Sequence, residues 1–460
     1  MNEQMSGRDC DIALIGGGAS GVLAAIQLLR QARSAVHVVM VGTAAALAEG
    51  VAYSTRRDEH LLNVPAGKMS AFPELPGDFV AFLQGRADPG QAPDSRLEQR
   101  YVARRTYADY LRERLRQARE GSVATFEVIH DRVVELEKAG GAMRLRLAGQ
   151  GELRARRVVL AVGNALRPLP ARGATGLERR HLVEAWDSAA LAGIPPESAV
   201  CIVGSGLSMA DSVVTLHARG HRGPVHVVSR HGLMPLPHAQ GAAADLDVQA
   251  LLAMPLRRRM RALRERARAA AALGTPWQSV MDALRPHGQA LWRSLSCADQ
   301  RRFLRHVVRY WDVHRHRIAP EVHARLRGMQ ASGQLRVHRA RLDTVFPVAN
   351  CVQLGARSAQ GGMLQLDAHQ IVNATGVEMR VQAMRNPLLQ QLLGSGLAVA
   401  GPHGIGVDTD DEGCLVAADG EADPRIRVIG SLRIGRLWES LAIPELREQA
   451  RDVARGLLAL

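Results

Sequence analysis

Asp11–Gly21 reads DIALIGGGASG, and the reading of this stretch decides the fold. Ile12–Ile15 is an apolar run of strand length. Gly16, Gly18 and Gly21 follow in the spacing G-x-G-x-x-G, and an Ala/Leu-rich helical stretch, Val22–Leu29, comes next. Strand, glycine turn and helix in that order predict dinucleotide binding. The first Gly permits the tight turn, the second lets backbone approach a pyrophosphate, and the third lets the helix pack on its strand. The helix N-terminus, with Ala19 and Ser20, then faces the phosphates.

The second strand of such a unit is Val36–Val41, after which an acid normally holds the ribose hydroxyls. Gly42 stands there instead, and the nearest acid is Glu49. Gly50–Ser70 carries Gly, Pro and polar residues without a sustained period, which predicts a functional loop, with His60, Asn63 and Ser70 able to meet a ligand. A helix is expected from about 76 to 83, and an amphipathic one over Tyr101–Gln117. The segments Thr125–Ile129, Arg132–Glu137, Ala142–Leu147 and Glu152–Val162 read as a strand meander closing on Gly163, and Pro168 and Pro170 mark a linker.

Ala199–Ala218, AVCIVGSGLSMADSVVTLHA, repeats the opening. Val200–Val203 is a strand, Gly204 and Gly206 form the turn, and a helix begins near Leu207 and Ser208. Met209 replaces the third Gly. After the next strand, Val225–Ser229, comes Arg230, where a cation suits the 2′-phosphate of NADP better than the ribose of NAD. Residues 241–327 are helical and charged. Leu335–His338, Arg341–Val345, Val352–Leu354 and Met363–Leu366 then repeat the meander, closing on Gly376. A strand at Arg427–Ile429 ends at Gly430, and Leu437–Ala450 and a final helix follow. The duplication predicts an α/β protein of two Rossmann-like units, each with a β-meander, and a helical insertion in the second. The expected domains are 1–168, 197–376 with the insertion at about 241–327, and 377–460 returning to the first.

Composition narrows the partners. Of 460 residues, 47% are hydrophobic and 23% charged, as in ordinary globular proteins. The five cysteines, at 10, 201, 297, 351 and 414, have no metal-type or C-x-x-C spacing, which predicts a reducing compartment without disulfides. No long uninterrupted apolar run predicts a membrane span, and the expected location is the cytoplasm. The net charge of +14 comes from Arg spread along the chain. Only Leu256–Arg268 is dense, and no stacking aromatics interleave it, which argues against nucleic acid. His314 and His316 lie on different helix faces and no third ligand joins Asp312 and His316, so no metal site is expected.

Beyond these spacings, a run of motifs is similar to one family. GGGASG (Gly16–Gly21), GVAYST (Gly50–Thr55), HLLNVPAGKMSAFP (His60–Pro73) and GSGLSMAD (Gly204–Asp211) belong to it. So do SRHGLMPLPHA (Ser229–Ala239), YWDVHRHRIAPEV (Tyr310–Val322) and ESLAIPELREQA (Glu439–Ala450). Together they resemble the single-chain FAD/NAD(P)-binding oxidoreductases, a family that includes an FAD-dependent urate hydroxylase. The resemblance implies FAD on Gly16, Gly18, Ala19, Ser20 and Gly21, with His60 and Asn63 along it. Glu439 and Ser440 return to the flavin, and Gly163 and Gly430 close that site; Ser431 stands where many flavoproteins carry an Asp. NAD(P)H falls to Gly204, Gly206, Leu207, Ser208 and Arg230, with Gly376. The implied activity is NAD(P)H-consuming monooxygenation through a flavin C4a-hydroperoxide, with O₂ and a small electron-rich substrate. Urate, from purine metabolism, is the first candidate, and Arg105, Tyr107 and His314 are candidate substrate contacts. Two other readings stay open: a flavin reductase or dehydrogenase without oxygen insertion, and a non-catalytic nucleotide-binding protein.

Overall fold

The computed structural model describes residues 8–43, 47–86, 94–149 and 151–459, and the remainder of the expected first domain's start lies outside them. The chain divides into two compact units. One holds Met1–Thr55, Pro65–Ala165 and Glu378–Leu460, the other Arg56–Val64 and Leu166–Val377.

In the first unit, Arg8–Ile15 forms the centre of the sheet because Ile12, Ala13 and Leu14 are apolar on both faces and wholly buried. His37–Val41 pairs with it in parallel, Ile12 opposite Val38, and Glu152–Leu160 pairs on the other side, Ala13 opposite Val158. Ala422–Val428 extends the parallel sheet beyond Glu152–Leu160, and Cys414–Val416 closes that edge antiparallel. The helix Ala19–Gln31 is buried over Gly21–Leu29, apolar on every face, because the sheet, Arg104–Glu120 and Ile443–Leu458 cover it.

The second unit repeats this plan. Val200–Val203 lies between Val225–Ser229 and Gln370–Asn373, all parallel, with Val203 opposite both Val228 and Asn373. The helix Leu207–Ala218 follows its turn as Ala19–Gln31 follows the first. The inserted region is helical, with Leu256–Ala272, Gln278–Leu284, Val308–Arg315 and Pro320–Ala331 its longer helices, and Leu251, Val280, Leu284 and Leu291 form its core.

Several sequence expectations are corrected. Thr125–Ile129 is not part of the meander: it adds in parallel beside His37–Val41 as an edge strand, with none of its side chains fully buried. The meander is Val133–Ala139, Ala142–Leu147 and Glu152–Leu160. Leu335–His338 and Arg341–Val345 are one strand, Leu335–Val348. Its first part pairs in parallel with Val225–Ser229 and its second antiparallel with Cys351–Ser358. The linker after Pro168 belongs to the second unit, since Leu182–Glu184 pairs with Gln370–Asn373 at the sheet edge. Residues 56–64 also fall in the second unit. The final helix begins inside the Leu437–Ala450 stretch, running Ile443–Leu458 with Pro444 in its first turn, where no N–H is needed.

Candidate nucleotide sites

The two turns are built alike. Gly16 has φ of +115°, and a Cβ there would lie 2.2 Å from the carbonyl oxygen of Ala161. Gly204 has φ of +108°, and its Cβ would lie 2.2 Å from that of Ala374. Each turn N–H donates to the neighbouring strand: Gly16 to Val41 O at 2.8 Å and Gly204 to Val228 O at 2.9 Å. The carbonyl before each turn holds the closing strand, Ile15 O accepting from Ala161 N and Val203 O from Ala374 N. Each closing strand then reaches a left-handed glycine, Gly163 with φ of +77° and Gly376 with +88°. Gly18 and Gly206 cap their helices in extended conformation with no side-chain acceptor, and neither first turn carries an acid. The N–H groups at both helix starts are therefore left for an outside anion.

The third glycine separates the two. A Cβ on Gly21 would lie 2.0 Å from Gly16 O, so the first helix is seated on its turn. Met209, wholly buried, occupies the corresponding place in the second.

Gly430, Ser431 and Ser440 are tied to the first unit's turns and last helix. A Cβ on Gly430 would lie 2.9 Å from Ser20 Oγ. Ser431 Oγ donates to Gly163 O at 2.8 Å, so the residue standing in the usual Asp position ties two turns together. Gln449, buried on the last helix, accepts from Gly430 N at 3.1 Å and donates to Ser440 O at 2.9 Å. Ser440 Oγ is buried and has no partner among the described residues. Trp438 and Glu439 both hold positive φ, +41° and +54°, a strained pair leading into Ser440. Sequence reading missed Gln449, which no motif marks.

The absent acid also has a structural reason. A Cβ on Gly42 would lie 2.9 Å from Gly17 N, so the strand end runs too close to the turn for a side chain. The chain then folds back, Ala48 N donating to Gly17 O at 2.9 Å, which brings Glu49 beside the turn. Glu49 is buried and accepts from Arg112 at 3.2 Å.

In the second unit, Ser205 Oγ donates to Ser229 Oγ at 2.8 Å, and Trp186 Nε1 donates to Ser208 Oγ at 3.3 Å. Neither link was visible in the sequence. Arg230 follows Ser229 at the strand end. Partial burial, then the guanidinium groups of Arg309, Arg167 and Arg341, hold its pKa below the ordinary value. Four arginines thus bear on one point, a field that an anion relieves.

The remaining candidates fare differently. His60 and Asn63 belong to the second unit: His60 is buried with Nε2 2.7 Å from Thr215 Oγ1, and Asn63 O meets His238 Nε2 at 2.9 Å. They pin the 56–64 segment to that unit. Tyr107 is wholly buried among Tyr53, Phe79 and Tyr110, and burial pushes its phenol well above the ordinary value, so it is core and presents no surface to a substrate. Arg105 is exposed on Arg104–Glu120, and His314 lies in the second unit. Among the described residues no group of three metal-ligating side chains occurs, and no helix is long and apolar enough to cross a membrane.

Residues 13–165 match the model of a family described as FAD-NAD(P)-binding. No curated protein matches the chain. Among solved structures, L-lysine 6-monooxygenase from Pseudomonas syringae is 18% identical with a TM-score of 0.69, covering 97% of this chain and 99% of that one. Ornithine N-hydroxylase from Kutzneria sp. 744, with reduced FAD, NADP⁺ and L-ornithine, is 14% identical with a TM-score of 0.66 over 98% and 99%. Bacillithiol disulfide reductase from Staphylococcus aureus is 12% identical with a TM-score of 0.58 over 98% and 99%. The chain therefore has, over nearly its whole length, the α/β fold of the two-nucleotide flavoproteins, and its first turn lies in a segment with the sequence of the FAD-NAD(P)-binding family.

Proposed function

We propose that the protein is an FAD-dependent oxidoreductase that consumes NADPH and hydroxylates a small nitrogen-bearing substrate with O₂. The observation that carries this reading is the pair of matched turns, each with uncapped helix N–H groups and a glycine that no Cβ could replace. One turn alone serves many nucleotide proteins, whereas two in one chain suit an electron donor and a flavin.

The residues present fit FAD at the first turn. Gly16, Gly18 and the N–H groups of Ala19 and Ser20 would bind its pyrophosphate. Glu49, brought beside the turn, would be the acceptor for the ribose hydroxyls in place of the residue that Gly42 forbids. The orphaned Ser440 Oγ, on a residue whose backbone carbonyl Gln449 holds, would be a buried donor for the flavin end. When bound, FAD supplies hydride acceptance and dioxygen activation. The chain's own part is to orient and to exclude water. In the second unit Gly204, Gly206, Leu207 and Ser208 would hold the NADPH pyrophosphate. Arg230, with Arg167, Arg309 and Arg341 near it, would take the 2′-phosphate.

The substrate has two candidates. Urate comes from the sequence resemblance. A primary alkylamine comes from the structural neighbours, whose names specify ornithine and lysine. A reductase reading is also supported by a neighbour. Against a thiol relay, the five cysteines are free and three of them are buried.

An absorbance spectrum of the purified protein, with and without added FAD, comes first; a protein that stays colourless is a non-catalytic nucleotide binder. NADPH-driven oxygen uptake is then measured with urate, ornithine, lysine and cadaverine. Uptake that rises in proportion to hydroxylated product supports the monooxygenase, and the productive compound names the substrate. NADPH oxidation with no compound hydroxylated leaves the reductase.

A further inference from the structure

Of the motifs quoted above, SRHGLMPLPHA meets the second turn only through Ser229 and Arg230, and YWDVHRHRIAPEV meets neither turn. SRHGLMPLPHA and YWDVHRHRIAPEV are distant in sequence, yet the fold stitches them together in the second unit. Ile318 N donates to Leu236 O at 3.0 Å, and His238 N donates back to Ile318 O at 3.1 Å. Between them and the helix Pro320–Ala331 lies a cavity of about 370 Å³. That volume is within the range of small-molecule sites.

Its walls are mostly apolar: Leu233, Met234 and Leu236 from the first motif, Val313 from the second, and Leu326 from the helix. The polar groups are His314, His323, Arg327 and Gln330. Arg327 is exposed at the mouth, donates weakly to Gln330 at 3.4 Å and forms no ion pair among the described residues. Asp312, beside Val313, is already paired with Arg309 at 3.1 Å. Burial, then Arg327, lowers the His323 pKa below the ordinary imidazole value. His231, one residue from the cavity wall, feels Arg230, Arg309 and Arg339. An apolar interior with one exposed guanidinium, Arg327, in its lining selects a ligand that is itself amphipathic.

We propose that this cavity binds a small organic anion with a flat apolar body, its acid group on Arg327 and its body against Leu233, Met234 and Leu326. The cavity lining holds no residue of either glycine turn and not Arg230, so the proposal does not depend on the flavoenzyme reading. A built-in reporter is at hand: the Trp277 ring meets His314 edge-on, with centroids 4.9 Å apart.

The test is titration with the fluorescent anion 1-anilinonaphthalene-8-sulfonate, read by probe emission and by tryptophan quenching. The neutral N-phenyl-1-naphthylamine is run in parallel. Arg327→Ala should weaken the sulfonate about fivefold or more while moving the neutral probe less than about twofold, the pattern of a lost charged contact. Because Arg327 is exposed, this variant keeps its fold. Met234→Trp, which crowds the cavity, should weaken both. Unchanged sulfonate affinity in Arg327→Ala overturns the proposal. So does competitive displacement of the sulfonate by NADP⁺, which would make the cavity part of the nucleotide site.

Discussion

At Gly16 a single hydrogen decides whether the first site exists. A Cβ would sit 2.2 Å from Ala161 O at a φ of +115°. Gly16→Ala is therefore expected to cost about 3 kcal/mol or more of stability, through strain and a steric clash. The readouts are denaturant unfolding and loss of bound flavin absorbance. Arg230 belongs to the same scale but to the other site. Arg230→Ala should raise the KM for NADPH by about tenfold and leave that for NADH within about twofold, because only NADPH carries the 2′-phosphate. Steady-state kinetics with both donors checks this, and equal effects on the two would exclude the phosphate contact. Gly42 was readable only as a missing acid. Its cause, the approach of Gly17 N to within 2.9 Å of a Cβ, needed the folded turn.

Among elements, the final helix Ile443–Leu458 is tied to the first site by Gln449. Gln449→Leu leaves a buried N–H on Gly430 and the Ser440 carbonyl without their partner, a cost of about 2–4 kcal/mol. Chemical denaturation measures it, and Gln449→Glu, which keeps the acceptor to Gly430, should recover part. In the second unit, the paired strands Val225–Ser229 and Leu335–Val348 carry His226 and His338, whose Nδ1 and Nε2 lie 3.0 Å apart. Burial first, then the neighbouring cations, lowers both pKa values from 6.5. The unfolded chain thus binds more protons than the fold below the ordinary imidazole pKa. Stability is full above that value and falls as pH drops through it toward the lowered folded values. His338→Gln should flatten this loss, seen as a smaller difference between urea midpoints at about pH 7.5 and about pH 5. The length of Leu335–Val348 escaped sequence reading because His338–Arg341 carries no apolar alternation. Pairing with partners of both directions holds the strand through it.

For the whole molecule, the cysteines are free, and burial pushes the thiols of Cys10, Cys201 and Cys414 up to about 12. Thermal melting with and without dithiothreitol should agree within about 1 °C, as no disulfide contributes. A drop on reduction would show a disulfide between Cys297 and Cys351 or between molecules. The chain also enters the second unit twice, through residues 56–64 and 166–377. The shorter visit was invisible beforehand, since nothing in HLLNVP says which sheet it will rest on. The buried bond from His60 to Thr215 decides it.

The sequence by itself determined what local chemistry can encode. Strand–glycine–helix order and its repetition announced two nucleotide units, because φ and Cβ demands are set within a few residues. Arg230 was legible for the same reason, standing one residue beyond a strand. Only the tertiary structure decided which partners lie across space. It made Tyr107 core, moved His60 and Asn63 to the second unit, and placed Glu49 beside the turn in the absence of an acid at 42. It also gathered Arg167, Arg309 and Arg341 around Arg230 and folded two silent motifs around one cavity. Those outcomes rest on packing and hydrogen bonds between residues tens to hundreds of positions apart, for which a single sequence has no period to read.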